Sequence, residues 1–432
     1  MVTQEKQTHT QPTRRREMDL MGMVIVVGLV FFHSAQIFGG TGFYVENTQQ
    51  GMAAGILANL LLGFANMWGM PLMMLIAGTA ICYSLRKRTV GQFLVNRVQR
   101  LLIPFVTGMV LILPPQVWFG HKFHQPSYSE GYGQFLRRFF NVQFSLSAFP
   151  GFIVGAPPDR LWTTGHLWFL IFLFVYTLLL LPLFWVLRQP SGQRLVKRFV
   201  AFLARPWAIF LLALPMGLIE AFLMTEGQGV WNRFVWPFFL VYGFLLASDR
   251  EFGRALQRHR KGALLLGIVA FLIYFTATGY LLIALGADDW TDYSVVGLTA
   301  RFFKGLGSWF WLVAIMGFAG QMAQRGARQD QAAPAPSENL GPLASETPRG
   351  PSWMDRLADY AKEAQLPFYV LHHTPIVLIG FYVVQWQVNP LVKYCAIVLG
   401  ALVTTVLVYD IAVRRTPPTR FLFGLRPAKT QR

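Results

Sequence analysis

Residues 20–33 read LMGMVIVVGLVFFH, a run of thirteen uncharged and mostly apolar residues that ends on a histidine. Such a run is typical of a membrane-spanning helix. An ionisable ring inside a span needs polar partners in the protein interior, unless it takes part in chemistry. His33 is therefore the first candidate functional residue. The three arginines at 14–16 precede the run and mark its predicted cytoplasmic end.

The whole chain has the composition of an integral membrane protein. Of its 432 residues, 54% are hydrophobic and only 13% are charged, and the mean hydropathy is +0.42. The formal net charge of +18 could indicate a nucleic-acid partner, but the Lys and Arg residues are scattered between apolar runs rather than gathered in one soluble part. The sequence therefore predicts a bilayer-embedded protein and no nucleic-acid partner.

Windows of about 20 residues with almost no charge predict ten spans. They lie at 18–38, 55–82, 101–119, 166–187, 207–223, 234–248, 262–285, 305–322, 365–386 and 394–413. With the first residue in the cytoplasm, 30 of the 38 Lys and Arg residues fall in cytoplasmic segments. This asymmetry predicts an all-α integral membrane protein, a bundle of about ten transmembrane helices with both termini in the cytoplasm.

The remaining segments complete one membrane domain, 18–413, between a short cytoplasmic tail, 1–17, and a basic cytoplasmic tail, 414–432. The long outer segment 120–165 is rich in aromatics, Pro and Gly, which is compatible with a folded substrate lid or with a structural re-entrant loop. Residues 326–352 are rich in Pro, Ala, Ser and Gln and predict a disordered cytoplasmic linker.

The basic inner block between the second and third spans is the second candidate for function. It contains Arg86, Arg88, Arg97 and Arg100, the last two one turn apart, as on a short amphipathic helix along the inner surface. Such a block suits anionic headgroups or a phosphate-bearing donor, and it also suits ordinary positive-inside anchoring.

Three further histidines lie in or at the ends of spans. His372 and His373 are adjacent, and their side chains would point about 100° apart on a regular helix, so at most one is expected to face the bundle centre. They would form a joint metal site only if the backbone broke near Pro375, and no metal site is predicted. His166, in Gly-His-Leu-Trp-Phe-Leu at 165–170, is compatible with an interfacial structural role or with chemistry.

Acidic residues in or near spans are few, namely Asp19, Glu220 and Asp410. Each could orient a histidine or pair with an arginine, and the sequence does not choose between these roles.

Four motifs together resemble the membrane-bound acyltransferase-3 family, and within it the branch that includes glucan biosynthesis protein C. They are the first-span histidine, the block from Ser-Leu-Arg-Lys-Arg-Thr to Arg-Leu-Leu-Ile-Pro at 84–104, Gly-His-Leu-Trp-Phe-Leu at 165–170, and Tyr-Val-Leu-His at 369–372. The resemblance implies ten spans and transfer of an acyl group, commonly acetyl or succinyl, from cytoplasmic acyl-CoA to a hydroxyl of a carbohydrate or similar acceptor.

The same resemblance places His33 on the family's essential histidine. The family usually has Arg or Lys eleven residues earlier, where this chain has Gly22. On a helix, Gly22 and His33 share one face about 16 Å apart. Arg15, Arg16 or a residue of the basic inner block is the expected replacement for the missing cation.

These observations predict a membrane O-acyltransferase of a bacterial inner membrane that modifies a glycan or related polyol. His33 acts as general base, His372 as a second catalytic residue, and Arg86, Arg88, Arg97 and Arg100 bind acyl-CoA, which is a substrate rather than a resident cofactor. The alternative is a transporter or flippase of a lipid-linked or anionic solute, with the buried histidines as proton relays. A third hypothesis is a family member whose transfer is slowed by Gly22.

Overall fold

The computed structural model describes residues 16–49, 51–223, 232–286, 293–332 and 353–426, and nearly all of its regular structure is helical. Helices dominate because a lipid-embedded chain has no water to satisfy its backbone N–H and C=O groups. In chain order they are α1 (Arg16–Gln36), α2 (Met52–Lys87), α3 (Val90–Arg97), α4 (Ile103–Thr107), α5 (Leu113–His124), α6 (Tyr132–Phe139), α7 (Trp168–Leu179), α8 (Leu181–Arg188), α9 (Pro190–Leu203), α10 (Leu214–Phe222), α11 (Trp236–Ser248), α12 (Arg250–Ala284), α13 (Val295–Ala332), α14 (Trp353–Leu371), α15 (His373–Val383), α16 (Pro390–Val408) and α17 (Pro417–Leu422).

Short turns of other helical types connect several of these elements. Helices α3, α4 and α5 form one helical path, joined by π-helical turns at Val98–Leu102 and Gly108–Ile112. A third π-helical turn, Tyr409–Val413, follows α16, and 3₁₀ turns lie at Leu146–Ala148, Gly165–Leu167, Ala208–Ala213 and Arg233–Val235.

The helices confirm a multi-pass membrane architecture. Within the described ranges, five are long and apolar enough to cross a bilayer: Met52–Lys87, Val90–His124, Arg250–Ala284, Val295–Arg325 and Pro390–Val413. Three bent pairs bring this number to as many as eight, and Leu20–Gln36 and Arg233–Ser248 are shorter apolar helices. Each predicted span overlaps one of these segments, while the count of ten and the cytoplasmic termini stay predictions.

The helices of the core pack most closely at glycines, where no side chain separates the two backbones. Gly78 of α2 and Gly243 of α11 lie against each other's helix backbone, so that a Cβ on either would overlap Leu240 or Leu75. Small residues of this kind let membrane helices approach closely and gain dispersion contacts.

The junction between α14 and α15 is a sharp break in an otherwise apolar span. The two helices meet at His372 with a bend of 53°. Pro375 explains the break, because its ring lacks an N–H and clashes with the carbonyl four residues earlier, that of Leu371. The bend decides where the histidines of this span point.

The outer segment 120–165 is folded. Helix α5 extends into it as far as His124, α6 follows, and strands β1 (Val142–Phe144) and β2 (Ile153–Gly155) pair antiparallel with Gln143 opposite Val154. The expectation of an all-α chain therefore needs one correction, a two-stranded hairpin.

Ion pairs stabilise this outer segment. Arg138 donates to Asp159 at 2.8 and 2.9 Å and to Glu130 at 2.7 Å. These hydrogen bonds hold the pKa of Asp159 below its ordinary value. Arg233, before α11, donates to the carbonyls of Ser147 and Phe149, both at 2.6 Å, and thereby ties the segment to the bundle.

Two boundaries differ from the sequence prediction. Helix α13 begins at Val295 and ends at Ala332, so the first seven residues of the predicted linker 326–352 are helical, and the rest lie outside the described residues. The predicted span 207–223 corresponds to a short 3₁₀ and α-helical stretch that meets α9 at a bend of 112°.

Three cations assigned to outer loops are instead buried in helices. Arg301 and Lys304 lie in α13 and Lys393 in α16, and each side chain is at most 3% exposed. The Lys304 ammonium pairs with Glu220 at 3.0 Å, and Lys393 donates to Asn47 Oδ1 and to the Val384 carbonyl. From sequence alone all three belong to the eight Lys and Arg residues outside the cytoplasmic segments, because a sequence does not show buried partners.

Candidate active site

Four histidines from three separate parts of the chain form one cluster, which we call the histidine cluster: His33, His166, His372 and His373. The ring centroids of His33 and His373 are 4.5 Å apart, and those of His33 and His372 are 5.3 Å apart. His166 stacks on His373 at 4.5 Å with the ring planes only 2° from parallel. The fold therefore joins the first span, the start of α7 and the α14–α15 break.

The turn after α1 closes one side of the cluster. Gly40 and Gly42 have φ of 61° and 69°, a backbone region that favours glycine, and they return the chain over the end of α1. This turn places the rings of Phe43 and Tyr44 at 5.2 and 5.7 Å from the ring of His373.

His166 reaches the cluster because the residue before it is glycine. Gly165 has φ of 46°, and a Cβ there would lie 2.5 Å from Leu113 Cδ1. The Nε2–H of His166 donates to the Val370 carbonyl at 3.1 Å, which leaves its Nδ1 as an acceptor. The sequence alone had left His166 between an interfacial role and chemistry, and the structure places it in the cluster.

The break at His372 brings both adjacent histidines into the cluster, so the expectation that at most one faces the bundle centre is wrong. On a regular helix the two rings would diverge by about 100°. Here His372 ends the turn after α14 and His373 begins α15 in a new direction. His372 Nδ1–H donates to the carbonyls of Tyr369 at 2.8 Å and Phe368 at 3.2 Å.

Two glutamines fix the tautomers of the other two rings. The Gln116 amide donates to the Ile112 carbonyl at 3.0 Å and to Thr374 Oγ1 at 2.7 Å, so its Oε1 must face His373 and accept the Nδ1–H at 2.8 Å. Gln36 Oε1 likewise accepts from Nδ1–H of His33 at 2.7 Å. Both histidines therefore carry an unprotonated Nε2.

The cluster is a set of proton acceptors held in fixed orientation. Each ring gives its N–H to an amide or carbonyl oxygen and keeps one lone pair. Within the described residues, Nε2 of His372 and Nδ1 of His166 are buried and have no hydrogen-bond partner. Neutral imidazoles arranged in this way can take a proton from a hydroxyl.

A cavity of about 390 Å³ is lined by three of the four histidines, so a ligand in it can reach them. His372 does not line it and lies behind His33 and His373. Its lining includes His33, His166, His373, Gln36, Phe43 and Tyr44.

The described residues contain no group of three or more His, Cys, Asp or Glu side chains arranged to hold a metal ion. The oxygen partners of the histidine cluster are the amides of Gln36 and Gln116 and backbone carbonyls, and no described carboxylate bonds one of the four rings.

The acidic residues considered from the sequence have other partners. Glu220 pairs with Lys304, and Asp410 accepts from Tyr360 Oη and pairs with Arg414 at 3.5 Å. The side chain of Asp19 lies outside the described residues.

The basic inner block does not line the cavity. Arg86 donates to the Ala247 carbonyl at 3.0 Å, and Arg88 donates to Ser84 Oγ at 2.7 Å. Arg97 and Arg100 lie at the start of the continuous helix Val90–His124 rather than on a separate surface helix. Arg97 lies over the Phe93 ring at 4.7 Å, and within the described residues its buried Nε has no hydrogen-bond partner.

Gly22 faces α14, in agreement with its predicted place on the same side of α1 as His33. A Cβ at Gly22 would overlap the amide of Gln365, so glycine makes room for that side chain. Gln365 thus occupies the space beside the position where the family usually has a cation. Arg15, one of the expected replacements, lies outside the described residues, as does the side chain of Arg16.

The comparison with family models covers nearly the whole chain, since the acyltransferase domain model of the acyltransferase-3 family matches residues 15–410. The chain belongs to this family. Membership indicates a membrane acyltransferase and gives no support to the transporter alternative. No curated protein and no solved structure matched the chain. The glucan biosynthesis protein C branch stays a prediction, because the match is to the family as a whole.

The sequence singles out the four histidines as candidates, but it does not point to Gln36 or Gln116 or show that the four rings come together. His373, Gln36 and Gln116 carry no motif of their own, and only the fold brings them to His33. One sequence feature does point to this arrangement: Pro375, three residues after His372, predicts a helix break near the two histidines.

Proposed function

We propose that this acyltransferase-3 family protein moves an acyl group, acetyl or succinyl, from cytoplasmic acyl-CoA to a hydroxyl of a glycan or similar acceptor in a bacterial inner membrane. The observation that carries the proposal is His33. Its Nδ1–H is held by Gln36, its Nε2 is unprotonated, and its ring lines a cavity inside the bundle.

In the proposed reaction, His33 Nε2 takes the proton of the acceptor hydroxyl while the hydroxyl oxygen attacks the thioester carbonyl. The carbon–sulfur bond breaks, the thiolate of CoA leaves, and it receives the proton from the imidazolium. His372, which does not line the cavity, contributes by position, since its ring lies 5.3 Å from that of His33 and its Nε2 is a second buried proton acceptor.

The basic inner block is the proposed site for the phosphates of acyl-CoA. Arg97 and Arg100 begin the continuous helix that carries Gln116, and Gln116 contacts the histidine cluster. At 1.5 Å per residue, Arg100 and Gln116 are about 24 Å apart along this helix. The acyl arm therefore extends from one end of the bundle toward the other, and Arg86 and Arg88 contribute positive charge at the phosphate end.

The test is release of CoA by purified protein in lipid nanodiscs supplied with acetyl- or succinyl-CoA and a glycan acceptor. His33→Ala should reduce the rate by about 10²–10⁴-fold, the usual contribution of a general base. His259→Ala is the matched control, because His259 packs against Trp207 and Phe210 outside the cluster, and it should keep the parent rate. Full activity of His33→Ala with an unchanged fold would refute the base assignment.

A further inference from the structure

A second and larger cavity adjoins the one that His33 lines. Its volume is about 560 Å³, within the usual range for small-molecule sites. Both cavities are lined by Gln36, Phe43 and Tyr44. We call it the outer cavity, since its other walls come from the turn after α1 and the end of α5 rather than from the basic inner block.

The walls of the outer cavity are polar and aromatic and carry no ammonium, guanidinium or carboxylate group among the described residues. They combine the amides of Gln36 and Gln125, the hydroxyl of Thr41, the imidazoles of His121 and His124, and aromatic rings. His124 uses Nε2–H to donate to the Phe43 carbonyl at 2.9 Å, and this leaves Nδ1 as an acceptor. No Lys, Arg, Asp or Glu side chain is among the described lining residues.

Charged side chains near the outer cavity have partners within the protein. The Lys122 ammonium lies 3.9 Å from the Trp118 ring centroid, and Arg138 is held by Glu130 and Asp159. Glu46 accepts the backbone N–H of Gly42 at 2.7 Å, which puts a carboxylate rather than a cation beside the turn that lines the cavity. An anionic ligand would find no ammonium or guanidinium counter-charge on these walls.

We propose that the outer cavity binds the acceptor and that this acceptor is an uncharged polyhydroxylated ring, such as an unmodified hexose of an oligosaccharide. Ring faces of the sugar pack on Phe43 and Tyr44, and its hydroxyls bond the amides and imidazoles. A hydrocarbon chain would leave those polar groups unpaired. Through the walls shared at Gln36, one hydroxyl reaches His33. The assignment rests on the proposed acyl-transfer function.

The experiment presents the purified protein, in nanodiscs with acyl-CoA, with two size-matched oligosaccharide sets, one of neutral hexoses and one of uronic acids. Acylated products are identified by mass spectrometry, and CoA release is followed in parallel. Thr41→Trp fills the outer cavity from an exposed position on its wall, and Gln134→Trp adds the same bulk at an exposed position on α6 that does not line it.

The expected result is acylation of neutral oligosaccharides. Thr41→Trp should raise the KM for them at least tenfold and leave the KM for acyl-CoA unchanged, and Gln134→Trp should change neither constant. Preferred acylation of the uronic acids, an unchanged acceptor KM in Thr41→Trp, or CoA release with neither set acylated would overturn the acceptor assignment. Absence of CoA release under all conditions would instead refute the proposed function.

Discussion

The hydrogen bond between Gln116 and His373 can be measured by a double-mutant cycle. Gln116 is fully buried and His373 is 2% exposed, so Gln116→Leu leaves the Nδ1–H of His373 without a partner and without water. A buried unpaired donor costs about 1–3 kcal/mol of unfolding free energy. The Ile112 carbonyl keeps a donor in this variant, because Thr374 Oγ1 also bonds it at 2.8 Å. Thr374 Oγ1 loses the N–H that it accepts from Gln116, but this loss is common to the single and the double variant and cancels in the cycle.

The partner variant His373→Phe leaves Gln116 Oε1 unpaired and should cost a similar amount. The double variant removes donor and acceptor together, so it should cost less than the sum of the single variants by at least about 1 kcal/mol. Unfolding free energies in detergent micelles, followed by tryptophan fluorescence, give the four corners of the cycle. Gln134→Leu, at an exposed amide, is the control and should stay within about 0.5 kcal/mol of the parent.

Gln116→Leu should also slow catalysis. Without Gln116 the proton of His373 is free to move to Nε2 and place a donor beside His33, whose ring is 4.5 Å away. Loss of about 1.4 kcal/mol of transition-state stabilisation would slow CoA release about tenfold. Single-variant costs that add within about 0.5 kcal/mol would show that the bond is absent and would refute the tautomer assignment.

Three other predictions follow from single contacts. Gly22→Arg should change the unfolding free energy by less than about 1 kcal/mol, because its Cβ displaces only the flexible amide end of the Gln365 side chain; a larger loss in denaturant titration would contradict this. Lys393→Met should lower the unfolding free energy by about 1.5–3 kcal/mol, since two buried oxygens lose a charged donor, and an unchanged value in denaturant titration would contradict this. Arg138 lowers the pKa of Asp159 below its ordinary 3.8, so this stabilisation is present above about pH 4 and is lost as the pH falls through the folded value. The protection factors of amides in the outer hairpin should therefore fall in acid more in the parent than in Asp159→Asn, and an equal fall would contradict it.

The sequence predicted the helical membrane architecture for a simple physical reason. A bilayer requires long apolar helices, so hydropathy alone locates them. The helical period also placed Gly22 and His33 on one face, and the structure confirms it, since Gly22 lies against Gln365 of α14 and His33 against the rings at the α14–α15 break.

The rest of the candidate site depends on contacts that no local pattern encodes. His166 lies 133 residues after His33 in the sequence, and its place in the cluster depends on the positive φ of Gly165. A regular helix would make the side chains of His372 and His373 diverge, whereas Pro375 breaks the helix between α14 and α15. The tautomers depend on amide groups whose own partners are set by tertiary packing.

The two cavities and the basic inner block define separable approaches to His33. The histidine cavity is walled by the turn after α1 and the segment before α7, and Arg97 and Arg100 do not line it. In the proposed arrangement, an acceptor in the outer cavity is separated from the histidine cavity by the shared wall of Gln36, Phe43 and Tyr44. A donor bound at Arg100 would extend about 24 Å along the helix to the level of Gln116. Because no described residue lines both the outer cavity and the basic block, substitutions at the two ends should change different Michaelis constants. Arg100→Gln removes the positive charge and should raise the KM of acyl-CoA. If it raised the KM of the acceptor instead, both substrates would enter by one path.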